Sequence, residues 1–191
     1  MKIAILGWGS LLWDQRAEFD KQHEDWQCGG PGLKLEFSRV SQTRNDALTL
    51  VLDLNNGESC QVAYALSKRK NPDDAICDLR CREGTTLENI GFYFADGSRK
   101  QSREGGVLKG IKSWALERKI DVVIWTDLES NFQDKSRGRK PFCIKSALSH
   151  IQALGAEGKA KAAEYVWRAP KFIDTPLRKE LQSQPWFPRH G

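Results

Sequence analysis

Two features of this 191-residue chain combine residue types that can do chemistry. The first is the stretch Ile3-Ala4-Ile5-Leu6-Gly7-Trp8-Gly9-Ser10-Leu11-Leu12-Trp13, an apolar run broken by Gly7 and Gly9. Such a run reads as a buried strand ending in a glycine turn. Glycine tolerates positive φ and lets a backbone approach a ligand, so successive N–H groups of the turn can face an anion or an oxyanion. An ordinary core strand ending in a glycine turn has the same sequence. The second feature is Glu83. Ile76, Leu79 and Glu83 recur at i, i+3 and i+7, which puts a carboxylate on the stripe an amphipathic helix buries. Desolvation disfavours its charged form, and a carboxylate titrating nearer neutrality can both take and give protons. The alternative is a surface pair with Arg80 or Arg82.

Other chemistries fail on spacing. Ser10 is not in a G-x-S-x-G elbow, because Trp8 and Leu12 occupy both glycine positions. Gly7 and Gly9 begin a dinucleotide pattern that position 12 does not complete, no βαβ unit follows, and no Walker A sequence occurs. Cys28, Cys60, Cys77, Cys81 and Cys143 contain no CxxC pair, and His23, His150 and His190 lack ligand spacing. Cys77 and Cys81 can share a helix face, but zinc needs two more ligands, so neither metal nor cofactor is expected. Nothing singles out one thiol as a nucleophile.

The elements that must position these residues read as α+β. After the opening strand, the polar stretch from Asp14 to Gln27 has Phe19 and Trp26 as anchors, and Cys28 to Gly32 is a breaker. Leu33 to Val40 alternates, with Leu33, Leu35 and Phe37 opposite Lys34, Glu36 and Ser38. Ala47 to Leu54 and Ser59 to Leu66 follow after short turns, which predicts an antiparallel meander. Asn71-Pro72 starts a helix that Gly84 stops. Asn89 to Ala95 is a strand, Val107 to Lys119 a helix, and Val122 to Trp125 a continuous apolar strand and hence central. It empties into a polar segment in which Thr126, Asp127 and Asn131 are candidate rim residues, although a capping loop has the same composition. Helices over Phe142 to Leu154 and Glu157 to Trp167, then a short terminal segment from Ile173, form a helical C-terminal extension. The piece from Gly158 to Glu164 reads as plain helix surface. With no repeat and no linker, one domain is expected, its core about 1–139 and its extension about 140–191.

Composition narrows the partners. The net charge of +5 is compatible with anionic ligands, but the basic residues are scattered outside Lys68-Arg69-Lys70 and Lys135 to Lys140. Both clusters read as solvated loops, so nucleic acid is disfavoured. No apolar run approaches the roughly 20 residues of a membrane span. The opening run is too short for a signal-peptide core, and reduced cysteines fit a cytoplasmic location.

Trp8-Gly9-Ser10-Leu11 after a first strand resembles the Tyr-Gly-Ser-x-Leu or Tyr-Gly-Ser-Leu signature of the gamma-glutamyl cyclotransferase-like superfamily. Leu11 followed by Trp13 is particularly similar to its ChaC-type branch. The strands from Leu33 to Leu66 and a helix ending in Arg82-Glu83-Gly84 are similar to the family's order of elements, over about residues 3–126. The resemblance implies a mixed β-barrel with surrounding helices. It implies Glu83 as acid/base, and Gly7, Trp8, Gly9, Ser10 and Leu11 as the loop that binds a gamma-glutamyl substrate. The product would be 5-oxoproline, formed without a cofactor. Trp8 stands where the family has tyrosine, and the tail from Lys140 has no counterpart. A homodimer stays open. The alternative is a non-catalytic member of the same fold that binds a small molecule, a protein or nucleic acid, with Arg168, Lys171 and Arg178 in the tail as its basic residues.

Overall fold

A computed structural model describes residues 1–103, 105–134 and 140–189. Residues 135–139 of the basic cluster and His190 lie outside the described residues. The strands are β1 (Ile3–Gly7), β2 (Gly32–Ser41), β3 (Ala47–Leu52), β4 (Glu58–Gln61), β5 (Ala63–Leu66), β6 (Ile90–Phe94), β7 (Lys100–Gln101) and β8 (Val122–Thr126). The α-helices are α1 (Ala17–Asp20), α2 (Pro72–Glu83), α3 (Leu108–Arg118), α4 (Ile144–Ala153), α5 (Ala156–Arg168) and α6 (Pro176–Ser183). The chain is thus α+β, and its contacts group into two compact units: Met1–Leu33 with Gln61–Leu128, and Lys34–Cys60 with Glu129–Gly191.

In the first unit five strands run in the order β5-β1-β8-β6-β7. β8 is the middle strand, as its unbroken apolar run requires. β1 lies parallel to β8, with Ile3 opposite Val122, and antiparallel to β5, with Ala4 opposite Leu66. Every residue of β1 is buried, so its sequence is continuous and not alternating. Ala75, Ile76 and Leu79 of α2 join a core of Ile3, Ile5, Ile90, Phe92, Phe94, Val122 and Ile124, with Phe19 inside it and Trp26 packed against it. The limits of α2 follow from local chemistry. The Asn71 side chain accepts from the Asp73 N–H at 3.1 Å, Pro72 opens the first turn, and Asp73 and Asp74 face the positive end of the dipole. Gly84 ends it at φ 58°, and a Cβ there would meet nothing within 4 Å, so conformation and not space requires the glycine.

The second unit holds a three-stranded sheet in the order β3-β2-β4, with α4, α5 and α6. β2 and β3 pair antiparallel from Leu35–Leu52 to Ser41–Ala47, which is the first half of the expected meander. The second half differs. β4 lies beside β2 instead of β3, and the run Ser59 to Leu66 breaks at Val62, after which β5 joins the other sheet. At the break the Val62 N–H donates to the Pro31 carbonyl (3.1 Å), and the Val62 carbonyl accepts from the Gly30 N–H (2.9 Å). A Cβ on Gly30 would lie 2.6 Å from that carbonyl oxygen, so glycine permits the exchange of partners. The described strands form two open sheets and no closed barrel, where the family resemblance implies a barrel.

Two further expectations change in this unit. Glu36 and Ser38 are buried instead of forming a solvated face, because β2 is irregular between Glu36 and Arg39 and α6 supplies partners to Glu36. The piece Gly158 to Glu164 is not plain surface: Gly158, Ala162 and Ala163 are buried where α5 packs on β3. A Cβ on Gly158 would lie 2.7 Å from the Asn45 carbonyl oxygen. No helix among the described residues is long and apolar enough to cross a membrane.

Candidate functional site

The glycine turn is built from two glycines with different tasks. Trp8 leaves β1 extended, and Gly9 at φ 58° starts a 3-10 turn, Gly9–Leu12. The N–H groups of Trp13 and Asp14 close it on the Ser10 carbonyl at 3.3 and 2.8 Å. A residue with a Cβ is strained at that φ, so Gly9 is a conformational glycine. Gly7 answers to space instead: a Cβ there would lie 2.7 Å from Trp26 Cη2 and 3.0 Å from Leu12 Cδ2. Its smallness serves the indole packed on it. Trp8 and Leu11 are buried, and Ser10 is partly exposed.

The end of α2 meets this turn. The Arg82 side chain is 5% exposed, and its Nη2 donates to the carbonyl oxygens of Ser10 (3.3 Å) and Asp14 (2.9 Å). Asp14 Oδ2 lies 3.6 Å from the same nitrogen. The neighbouring Glu83 side chain is 17% exposed, with Oε1 at 4.0 Å from Arg82 Nη1. The two features that the sequence presents separately are therefore joined by a residue between them. Arg82 reads in the sequence as a cation in the last helical turn and a possible surface partner of Glu83; the structure buries it near Glu83, and neither reading signals a carbonyl clamp.

The other candidates are placed as follows. Thr126, the last residue of β8, has its Oγ1 buried and without a hydrogen-bond partner among the described residues. Asp127 is 2% exposed and committed: its carboxylate accepts from Trp125 Nε1 at 3.0 Å and from the Arg103 N–H. Asn131 belongs to the second unit, where its amide accepts from the Val40 N–H (2.7 Å) and donates to the Val40 carbonyl (3.1 Å). It gives both backbone groups of Val40 in β2 strand-like partners, an organising task that its polarity alone does not announce. Cys77 and Cys81 place their Sγ atoms 4.0 Å apart, with Arg80 Nη2 at 3.7 Å from each. Among the described residues no three His, Cys, Asp or Glu side chains form a metal-sized group.

A buried polar group in the second unit has no signal in the sequence. Burial pushes the Glu36 carboxyl up to about 7; hydrogen bonds from Thr175 and from the Phe37 and Leu177 N–H groups oppose the shift, and Asp53 adds to it. The Phe37 N–H lies 2.8 Å from Oε1 and the Leu177 N–H 3.2 Å from Oε2. Nearby, buried Arg178 donates to the carbonyls of Ala169 (2.9 Å), Pro170 (2.6 Å) and Ile173 (2.7 Å). These carbonyls follow α5, so the guanidinium ties that chain exit to α6. Arg168 pairs with Glu164 at 3.4 Å. Arg178 is thus withdrawn from the basic surface that the tail suggests.

Neither a model of a known protein family nor a curated protein gives a significant match to this chain.

Proposed function

We propose that the chain is a gamma-glutamyl cyclotransferase-like enzyme, releasing 5-oxoproline and an amine from a gamma-glutamyl amide. One observation carries this reading: the Arg82 clamp on the Ser10 and Asp14 carbonyls, which holds the helix end bearing Glu83 beside the glycine turn. The reaction asks the protein mainly for positioning. The substrate α-amine attacks its own side-chain carbonyl carbon, the five-membered ring closes, and the bond to the leaving nitrogen breaks. Glu83 takes a proton from the α-ammonium and returns it to the leaving nitrogen. The ring nitrogen passes on its second excess proton by the same route, so the amine leaves as its ammonium and the carboxylate is regenerated. Backbone N–H groups around Gly9 and Ser10 hold the substrate carboxylate or the developing oxyanion. Ser10 orients and is not a nucleophile. Thr126 is the rim residue with an uncommitted hydroxyl. No cofactor takes part in these steps.

The approach of Arg82 to Glu83 at 4.0 Å favours a second reading, a non-catalytic relative in which that pair is structural. Incubation with glutathione, gamma-glutamyl dipeptides and gamma-glutamyl amines separates the two. Release of 5-oxoproline by the native chain, abolished in Glu83→Gln, supports the enzyme. Absence of product with the whole panel supports the binding relative, and full activity in Glu83→Gln removes Glu83 from the mechanism.

A further inference from the structure

A cavity of about 460 Å³ opens in the first unit against the end of the glycine turn, with Leu11, Trp13, Asp20, His23, Trp26 and Lys68 in its wall. Its size is that of a small-molecule site. The volume lies within one unit, and Glu83 is not part of its lining. Trp13 and Trp26 give it indole surface, and Trp26 is the ring that requires Gly7 to be glycine.

The charges in the wall run against those of the molecule. The chain carries +5 overall, yet Asp20, Glu24 and Asp25 stand here against Lys68 alone. Lys68 Nζ donates to the Lys21 carbonyl at 3.3 Å, so the one cation is already engaged. The side chains of Glu24 and Asp25 form no ion pair among the described residues. Carboxylates beside indole faces form a low-potential pocket, the setting in which an ammonium gains from both charge and ring quadrupole.

His23 sharpens the ligand's chemistry. It is 6% exposed and held between rings, with centroids 4.9 Å from Phe19 and 5.1 Å from Trp26. Its Nδ1 lies 2.6 Å from the Glu24 carbonyl oxygen, which can only accept, so Nδ1 carries the proton. In the neutral ring Nε2 is then an acceptor. It is buried, without a hydrogen-bond partner, and Asp20 Oδ1 lies 3.7 Å away. In that tautomer Nε2 and Asp20 Oδ1 are both acceptors, and both suit an ammonium N–H.

We infer that this cavity binds a small primary alkylamine in its ammonium form, the N–H groups meeting Asp20 and His23 and the alkyl chain lying on Trp13 and Trp26. The proposal does not rest on the gamma-glutamyl chemistry above, although Leu11 of the glycine turn also lines this cavity. A neutral alcohol one methylene longer keeps all of the apolar contact but loses the charge, and a carboxylate on the same butyl chain reverses it.

The test titrates the full chain with n-butylammonium, 1-pentanol and pentanoate at neutral pH, reading the indole N–H resonances of Trp13 and Trp26 by NMR. Saturable shifts with n-butylammonium, at least tenfold weaker binding of 1-pentanol and none of pentanoate are expected. The double variant Glu24→Gln/Asp25→Asn, which changes only exposed side chains, should weaken n-butylammonium about tenfold while the shifts of other core resonances stay put. Binding of 1-pentanol as tight as that of the amine, or unchanged amine binding in the double variant, overturns the proposal. So does the absence of any shift at both indoles. A lysine side chain offers the same ammonium, so Nα-acetyl-lysine N-methylamide, with its ε-ammonium free, is titrated in parallel. Binding tighter than n-butylammonium assigns the site to a lysine side chain, and weaker binding assigns it to free amines.

Discussion

Arg82 Nη2 donates to the Ser10 carbonyl oxygen at 3.3 Å and joins positions 72 residues apart in the chain. The contact turns a helix end and a strand end into one unit, because the same nitrogen also holds the Asp14 carbonyl on the other side of the turn. The position of Glu83 relative to the turn is set by this guanidinium.

Replacing Arg82 therefore acts on geometry before chemistry. Arg82→Met should lower stability by about 2–3 kcal/mol, since it strips donors from two carbonyls and a charge from Asp14 and Glu83. Under the proposed function its kcat should fall more than its KM rises, with partial rescue by Arg82→Lys. Urea unfolding and steady-state kinetics of 5-oxoproline release measure both.

Glu36 gives the fold a pH dependence of opposite sign to that of most carboxylates. Its folded-state value is raised, so its contribution is fully present below pH 4.5 and is lost as pH rises through about 7. The shift corresponds to about 3 kcal/mol. Stability measured by urea titration should fall more steeply across this window in the native chain than in Glu36→Gln, which keeps the shape of the neutral form.

Arg178 satisfies three carbonyl oxygens at once. Arg178→Met leaves them without a donor in a buried place and should cost about 3 kcal/mol or more. Binding of nucleic acid, if any is seen, should be unchanged in a variant stable enough to assay, because this cation does not reach the surface. A gel shift at low salt and thermal unfolding make the two measurements.

The five thiols should react in a defined order. The Ser146 hydroxyl and N–H hold the Cys143 thiol below its ordinary range, whereas burial pushes the Cys60 thiol up. Alkylation by iodoacetamide, followed by mass spectrometry, should label Cys143 first and Cys60 last. Cys77 and Cys81, with sulfurs 4.0 Å apart, should be protected together by a trivalent arsenical that bridges two thiols.

What the sequence displays is what neighbours in the chain decide. The limits of α2 are legible because Asn71, Pro72 and Gly84 act within one turn of themselves. The middle position of β8 is legible because a strand buried on both faces needs apolar residues throughout. Glu36 is hidden because burial comes from partners far along the chain, the Leu177 N–H on its carboxylate being 141 residues away. The break at Val62 is hidden too, since Cys60, Val62, Tyr64 and Leu66 alternate without interruption and only Gly30 and Pro31 show where the partner changes. Of the site, the glycine turn and Glu83 are each visible, but the clamp between them is not. An arginine near a helix C-terminus is ordinary until its acceptor is seen.

The interleaving of the two units has a consequence for synthesis on the ribosome. β1 emerges first, yet its neighbours are β5 and β8, and Ile3 meets Val122 only after nearly all of its own unit has been made. Before then, residues 34–60 of the other unit have already appeared, and the helices that pack with them follow only after residue 128. Neither unit can be finished before the other has been started. Such distant pairing slows folding and leaves apolar strand surface waiting in the nascent chain. Once Leu128 has left the ribosomal exit tunnel the first unit can close while β2, β3 and β4 still lack α5, which makes that stage the natural one for a chaperone to be needed.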